Sequence, residues 1–199
     1  MLHFPVLLEE SIDFLINDQD GSYIDCTFGR GGHSTEILNR ISTNGYLTSF
    51  DKDPEASKFS KKLPQDNFKM LHDSFKNLDH YFQDNSIDGI LYDLGVCSTH
   101  FDNPLRGFSF NQEGPIDMRF NNKRGQPLSE WLNKATTKEI SDILYNFGDE
   151  KHGALIAKAI VRKISENSLR NTKNAKNKIT NKYKKDKQSR KNTKTFKTA

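Results

Sequence analysis

Cysteine is scarce: the 199 residues hold two, Cys26 and Cys97. They are too few and too far apart for a disulfide framework or a zinc site. No His/Glu spacing suggests other metal ligands. No apolar run approaches the ~20 residues of a membrane span. The N-terminus lacks the basic-then-apolar layout of a secretory signal. The expectation is a soluble, cytoplasmic protein without a membrane partner. The dinucleotide pattern G-x-G-x-x-G is absent, which argues against a nicotinamide-dependent oxidoreductase. No internal repeat is visible. Hydrophobic content is low at 34%, but 14 Phe help to supply a core, and the length suits one domain or one domain with an insertion.

Charge is unevenly spread. Residues 170–199 carry 12 of the 30 Lys+Arg and one of the 26 Asp+Glu, a net +11, against −7 for the rest. A basic tail on an acidic body is a footprint of nucleic-acid contact; a solvated, unstructured terminus is the competing reading.

The most informative stretch is Tyr23-Ile24-Asp25-Cys26-Thr27-Phe28-Gly29-Arg30-Gly31-Gly32-His33-Ser34. β-Leaning residues run into an acid, then a glycine turn, then a helical pattern (Ile37, Leu38, Ile41). A strand feeding a helix through glycines gathers backbone N–H groups at one point, which suits an anionic or strongly polar ligand. Glycine turns also follow strands where no ligand binds.

Before it, residues 5–16 read as a helix with Leu8, Ile12 and Leu15 on one face and Pro5 in its first turn. After it, strands are predicted at 46–50, 68–71 and 87–94, separated by helices at 55–62 and around Leu78 to Phe82. Strands alternating with helices predict a parallel, doubly wound α/β sheet. Ligands bind such sheets beyond the carboxyl ends of the strands. The turn after Thr27, Asp51, the segment at Phe75 and Asp93 all fall there. Residues 95–127 show no clear period, yet Phe108, Phe110 and Phe120 argue against simple disorder. Helices resume at 128–135. The next opens with a capping box at Thr136 and Glu139 and is expected to end at Gly148. A last one spans about 153–164.

Asp51 is placed to accept ribose hydroxyls or to cap the turn before Pro54. Phe75 suits an adenine face or the core. Asp93 ends a largely apolar strand, where an acid usually has a functional reason. Cys97 reads as a buried free cysteine rather than a nucleophile, since no base can be named for it. His33 and His100 are each candidates for a base, a ligand contact or a structural ring.

These strings resemble the MraW (RsmH) family of S-adenosylmethionine-dependent methyltransferases, which modify N4 of a decoding-centre cytosine in 16S ribosomal RNA. The matching stretches are His3-Phe4-Pro5-Val6-Leu7-Leu8, the 23–34 string, Asp51-Lys52-Asp53-Pro54, Asp88 to Val96, Arg106 to Phe110, Gly114 to Arg119 and Phe147 to Glu150. The resemblance implies a Rossmann-like class I methyltransferase sheet with a mainly helical insertion. It implies an S-adenosylmethionine-binding half over 1–101, a substrate-side insertion over 102–169 and a basic tail over 170–199. Gly31, Gly32 and His33 would contact the methionine part of the cofactor, Asp51 the ribose and Phe75 the adenine. Asp93 would lie near the adenine edge or the reacting amine and is the first catalytic candidate. Asp117 and Arg119 are substrate-side catalytic candidates. The family usually has Gln where His100 stands and Ser where Cys97 stands, so His100 is a cofactor contact by position only. The implied partner is 16S ribosomal RNA or the small ribosomal subunit. The family continues past Thr193-Lys194-Thr195-Phe196 with further strands, so the expectation is a shortened member with an unfinished sheet. The alternative function is an inactive remnant that binds RNA through its tail.

Overall fold

The computed structural model describes residues 5–64, 66–166 and 171–172. The readings made for His3, Phe4 and the tail beyond Thr172 lie outside these residues. The chain divides into two compact units, Met1–Ser98 and Thr99–Ala199.

In the first unit, β1 (Ser22–Asp25), β2 (Tyr46–Phe50), β3 (Phe68–Leu71) and β4 (Gly89–Leu91) form a parallel sheet in the order β3-β2-β1-β4. Parallel neighbours need crossovers. These are α2 (Gly32–Arg40), α3 (Ala56–Ser60) and a 3-10 segment (Phe75–His80), while α1 (Leu8–Leu15) precedes the sheet. The chain steps outward from β1 to β3 and then returns to β1's other side. Strand order therefore reverses between β1 and β4, the position where crevices open in such sheets.

Side chains alternate across the strands, so each strand serves two cores. Tyr23 and Leu47 pack with Ile12, Leu15, Phe28, Ile37 and Phe68 on one face. Ile24, Cys26 and Phe50 pack with Phe75, Leu78 and Phe82 on the other. Full burial of a side chain such as Leu47 or Ile37 contributes about 1.5–3 kcal/mol.

Two expectations change here. The first helix begins at Leu8 rather than Pro5; Leu7 ahead of it is left-handed at φ 50°. Pro5 instead packs on Gly32, where a Cβ would meet its ring at 2.3 Å. The fourth strand spans Gly89–Leu91 rather than 87–94. The Cys26 N–H still reaches the Leu91 carbonyl, but the Asp93 N–H donates to the Thr27 hydroxyl, because β1 has already turned away. β4 is a sheet edge, and Ile90, Tyr92 and Leu94 are exposed beside it.

The second unit is helical: α4 (Ser98–Asp102), a 3-10 turn (Pro104–Arg106), α5 (Leu128–Lys134), α6 (Thr137–Gly148) and α7 (Gly153–Ser165). The Thr136–Glu139 capping box forms in both directions. Gly148 is the last helical residue, as expected, and Asp149 takes the left-handed cap at φ 48°. Ile140, Ala157 and Ile160 form the core with Trp131, Leu132 and Leu144. The aperiodic stretch is ordered by a buried cation. Arg106 donates through Nη2 to the carbonyls of Arg119 (3.2 Å) and Phe120 (2.6 Å). Gly107 and Gly114 let the strands of that loop touch: a Cβ would lie 2.5 Å from the Pro115 carbonyl and 1.9 Å from that of Pro104. Among the described residues no helix is long and apolar enough to cross a membrane, and no cluster of three or more His, Cys, Asp or Glu is arranged to hold a metal ion.

Candidate functional site

The site grows from the end of β1. Asp25 is buried at 1% exposure. Its Oδ1 accepts from the Thr27 N–H at 2.9 Å, and its Oδ2 accepts from the Ser34 hydroxyl at 2.6 Å. Ser34 in turn shares a hydrogen bond with Ser49 at 2.8 Å. Burial pushes the Asp25 carboxyl above the ordinary 3.8, and the Ser34 and Thr27 hydrogen bonds pull it part of the way back. This one acid ties the end of β1 to the first turn of α2 and to β2.

The turn that follows has its own internal demands. Gly31 caps α2 at φ 85°, a left-handed conformation suited to glycine, and a Cβ there would meet the Phe28 ring at 2.8 Å. Gly31 and Gly32 thus have packing reasons to be glycine. No side chain caps the N-terminus of α2, so its first-turn N–H groups suit an outside acceptor. Arg30 closes the turn from the far side, 3.7 Å from buried Asp53 and over the Phe59 ring at 4.7 Å.

Asp51 is half-buried and already engaged. Its Oδ2 accepts from the Gly29 N–H at 2.7 Å and its Oδ1 from the Asp53 N–H at 2.8 Å. It holds the glycine turn against β2, and each oxygen has a second acceptor position in hand. Phe75 is half-buried against the second core, edge-on to Tyr92 at 5.4 Å, with the Lys52 ammonium 5.9 Å from its ring. Cys26 lies beneath, its thiol pushed up to about 11 by burial, which keeps it protonated and a poor nucleophile.

Asp93 stands beyond β4 with its side chain 48% exposed. Its Oδ2 lies 3.7 Å from Nδ1 of His33, whose side chain is 7% exposed. The other ring nitrogen of His33, Nε2, lies 3.2 Å from the Val6 carbonyl. The glycine turn, Asp51, His33 and Asp93 thus converge at the carboxyl ends of β1, β2 and β4 within one unit. Sequence reasoning passed over Val6, Thr27, Arg30, Ser34 and Ser49. The signal for Ser34 and Ser49 was two small hydroxyl residues in otherwise apolar surroundings, at α2's start and inside β2.

The second unit holds the remaining candidates. His100 is buried, 5.3 Å from the rings of both Phe108 and Phe120. Asp117 and Arg119 face each other: Nε donates to Oδ1 at 2.9 Å and Nη2 to Oδ2 at 2.6 Å, while Nη1 donates to the Gly125 carbonyl at 3.0 Å. The Arg119 guanidinium holds the Asp117 carboxyl below its ordinary range. Cys97, near the end of the first unit, is half-buried rather than buried.

The model of the MraW methylase family matches residues 1–199. The chain is 43% identical over 175 residues to the ribosomal RNA small subunit methyltransferase H of Delftia acidovorans, covering 85% of this chain and 56% of that protein. It is 41% identical over 167 residues to the protein of the same name from Burkholderia vietnamiensis, covering 82% and 53%. It is also similar to a solved rRNA methylase from Streptococcus thermophilus, 29% identical over 42% of this chain and 51% of that one, with a TM-score of 0.32. The chain spans about half the length of the curated relatives it matches. It belongs to the MraW methylase family, a family of S-adenosylmethionine-dependent methyltransferases.

Proposed function

We propose that the chain binds S-adenosylmethionine in the crevice beyond β1, β2 and β4 and methylates the N4 amine of a decoding-centre cytosine in 16S ribosomal RNA, in the cytoplasm. The observation that carries the proposal is the convergence of an uncapped helix N-terminus with the carboxylates of Asp51 and Asp93 where strand order reverses. The residues fit the cofactor. The first-turn N–H groups at Gly32 and His33 suit the methionine carboxylate. Asp51 keeps free acceptor positions for ribose hydroxyls, and the Phe75 ring offers an apolar face beside Lys52 for adenine. Bound there, the cofactor would supply an electrophilic methyl group.

The chain's own part is alignment and proton handling. A cytosine amine is a weak nucleophile because its lone pair is delocalised into the ring. Asp93 accepts a hydrogen bond from that amine, orients its lone pair and takes the proton it must shed. The target base is unstacked to reach the crevice. Asp117 and Arg119 are tied to each other by two side-chain hydrogen bonds, so we give them a positioning role in the substrate-side loop and leave the proton to Asp93. His100, set between two phenylalanines, is read as shaping the same region, with residues 102–169 as the substrate-side part.

The test is methyl transfer from labelled cofactor to purified small-subunit RNA, with the modified nucleoside identified by mass spectrometry. N4-methylcytidine at a single position is expected; label on another base, or none with folded protein, refutes the proposal.

A further inference from the structure

His33 was expected to touch the cofactor's methionine part, and Asp93 to lie near the adenine edge or the reacting amine. Their geometry points to a joint function. A backbone carbonyl only accepts, so the His33 nitrogen facing Val6 at 3.2 Å, Nε2, must carry a proton. In the neutral ring Nδ1 is then a bare lone pair, and it faces Asp93 Oδ2 at 3.7 Å. Two lone pairs aimed at each other repel, and one proton between them turns the contact into an attraction. Both partners are held in this arrangement. The first turn of α2 and the Val6 carbonyl fix the His33 ring, and Thr27 fixes the backbone at Asp93 by accepting its N–H at 2.8 Å. His33 is enclosed, whereas Asp93 is half open to solvent.

We propose that His33 and Asp93 form a proton-accepting pair for the methylated amine, with Asp93 touching the substrate and His33 acting through it as a positioning residue and proton store. This rests on the reading that the site methylates an amine. Once the amine nitrogen has gained its methyl group it is cationic. Its N–H bond breaks, an O–H bond forms on Asp93, and the electron pair stays on nitrogen. The proton passes to Nδ1 of His33, giving an imidazolium whose Nε2–H still donates to Val6. It leaves to water through the exposed side of Asp93. A lone carboxylate in water is a weak base; the enclosed imidazole gives the proton a place to rest while product departs.

The experiment uses the full chain in two arms. In the first, 15N signals of labelled histidine rings are recorded without cofactor, in the wild type and in Asp93→Asn, with backbone amide spectra to verify folding. The expected result is a ring protonated at Nε2, with its Nδ1 signal displaced in Asp93→Asn. A neutral ring protonated at Nδ1, or an Nδ1 signal indifferent to the change in a folded variant, overturns the pair. In the second arm, single-turnover methyl transfer is measured for His33→Gln. Its amide can still donate to Val6, but it has no ring nitrogen toward Asp93. Transfer at saturating S-adenosylmethionine is expected to fall about 100-fold. His33→Gln transferring at near wild-type rate overturns the inference while leaving the methyltransferase reading intact. A wild-type chain that transfers nothing overturns both, even where the ring signals show the pair.

Discussion

Replacing Asp25 tests how the crevice is held together. Asp25→Ala removes the acceptor for the Thr27 N–H and one of the two hydrogen-bond partners of Ser34. An unsatisfied buried donor plus a small cavity costs about 2–4 kcal/mol. Asp25→Asn is different, because the network can reverse. The amide oxygen accepts from Thr27, the amide nitrogen donates to Ser34, and the Ser34 hydrogen turns to Ser49. Removing a buried charge recovers several kcal/mol of desolvation, offset by about 1.5–3 kcal/mol for each charge-assisted bond weakened. We expect Asp25→Asn to be about 0–2 kcal/mol more stable than wild type at pH 7. The pH dependence has a definite sign. The folded carboxyl titrates above 3.8, so between 3.8 and its raised value the folded chain holds a proton that the unfolded chain has lost. The stability it contributes is fully present below 3.8 and is lost as pH rises through the raised value. Urea unfolding of wild type and Asp25→Asn across this range should differ by that slope. The probe matters: the single Trp, Trp131, sits in the helical unit, so amide exchange in β1 and β2 should report instead. A destabilised Asp25→Asn, or an identical pH slope in both proteins, refutes the reasoning.

Three further outcomes are expected. Asp51→Ala frees the Gly29 and Asp53 N–H groups and should weaken S-adenosylmethionine binding about tenfold or more, read by calorimetry. Thr136→Ala removes the capping box and should destabilise the helical unit by about 1 kcal/mol, read by Trp131 fluorescence during urea unfolding. Asp117 is held low by Arg119, so its contribution to stability is present above 3.8 and lost as pH falls through its lowered value. Arg119→Met should abolish that part of the acid slope, measured as the pH dependence of the urea midpoint.

Much of the frame was legible because it follows local rules. Residues 46–50 and 68–71 are strands as their apolar and β-prone residues between turns indicated, and the Thr136–Glu139 box needs three residues of context. The fourth strand was overextended, since the run from Ile87 to Leu94 is apolar enough for a longer one, while its pairing is set by where β1 turns at Thr27. Arg106 orders the aperiodic loop through carbonyls 13 and 14 residues away, a contact that leaves no period to read. The His33–Asp93 approach joins the first turn of α2 to the segment after β4, and only the fold reveals it. Asp51 was legible as a position, but its work in holding Gly29 was not, because the turn's path decides which N–H it meets.

The most direct test of the central claim is isothermal titration of S-adenosylmethionine into the folded 199-residue chain. Binding near one molecule per chain, lost or strongly weakened in Asp51→Ala, is the result predicted from the crevice beyond β1, β2 and β4. No heat of binding at any temperature, in protein with intact amide dispersion, would contradict it.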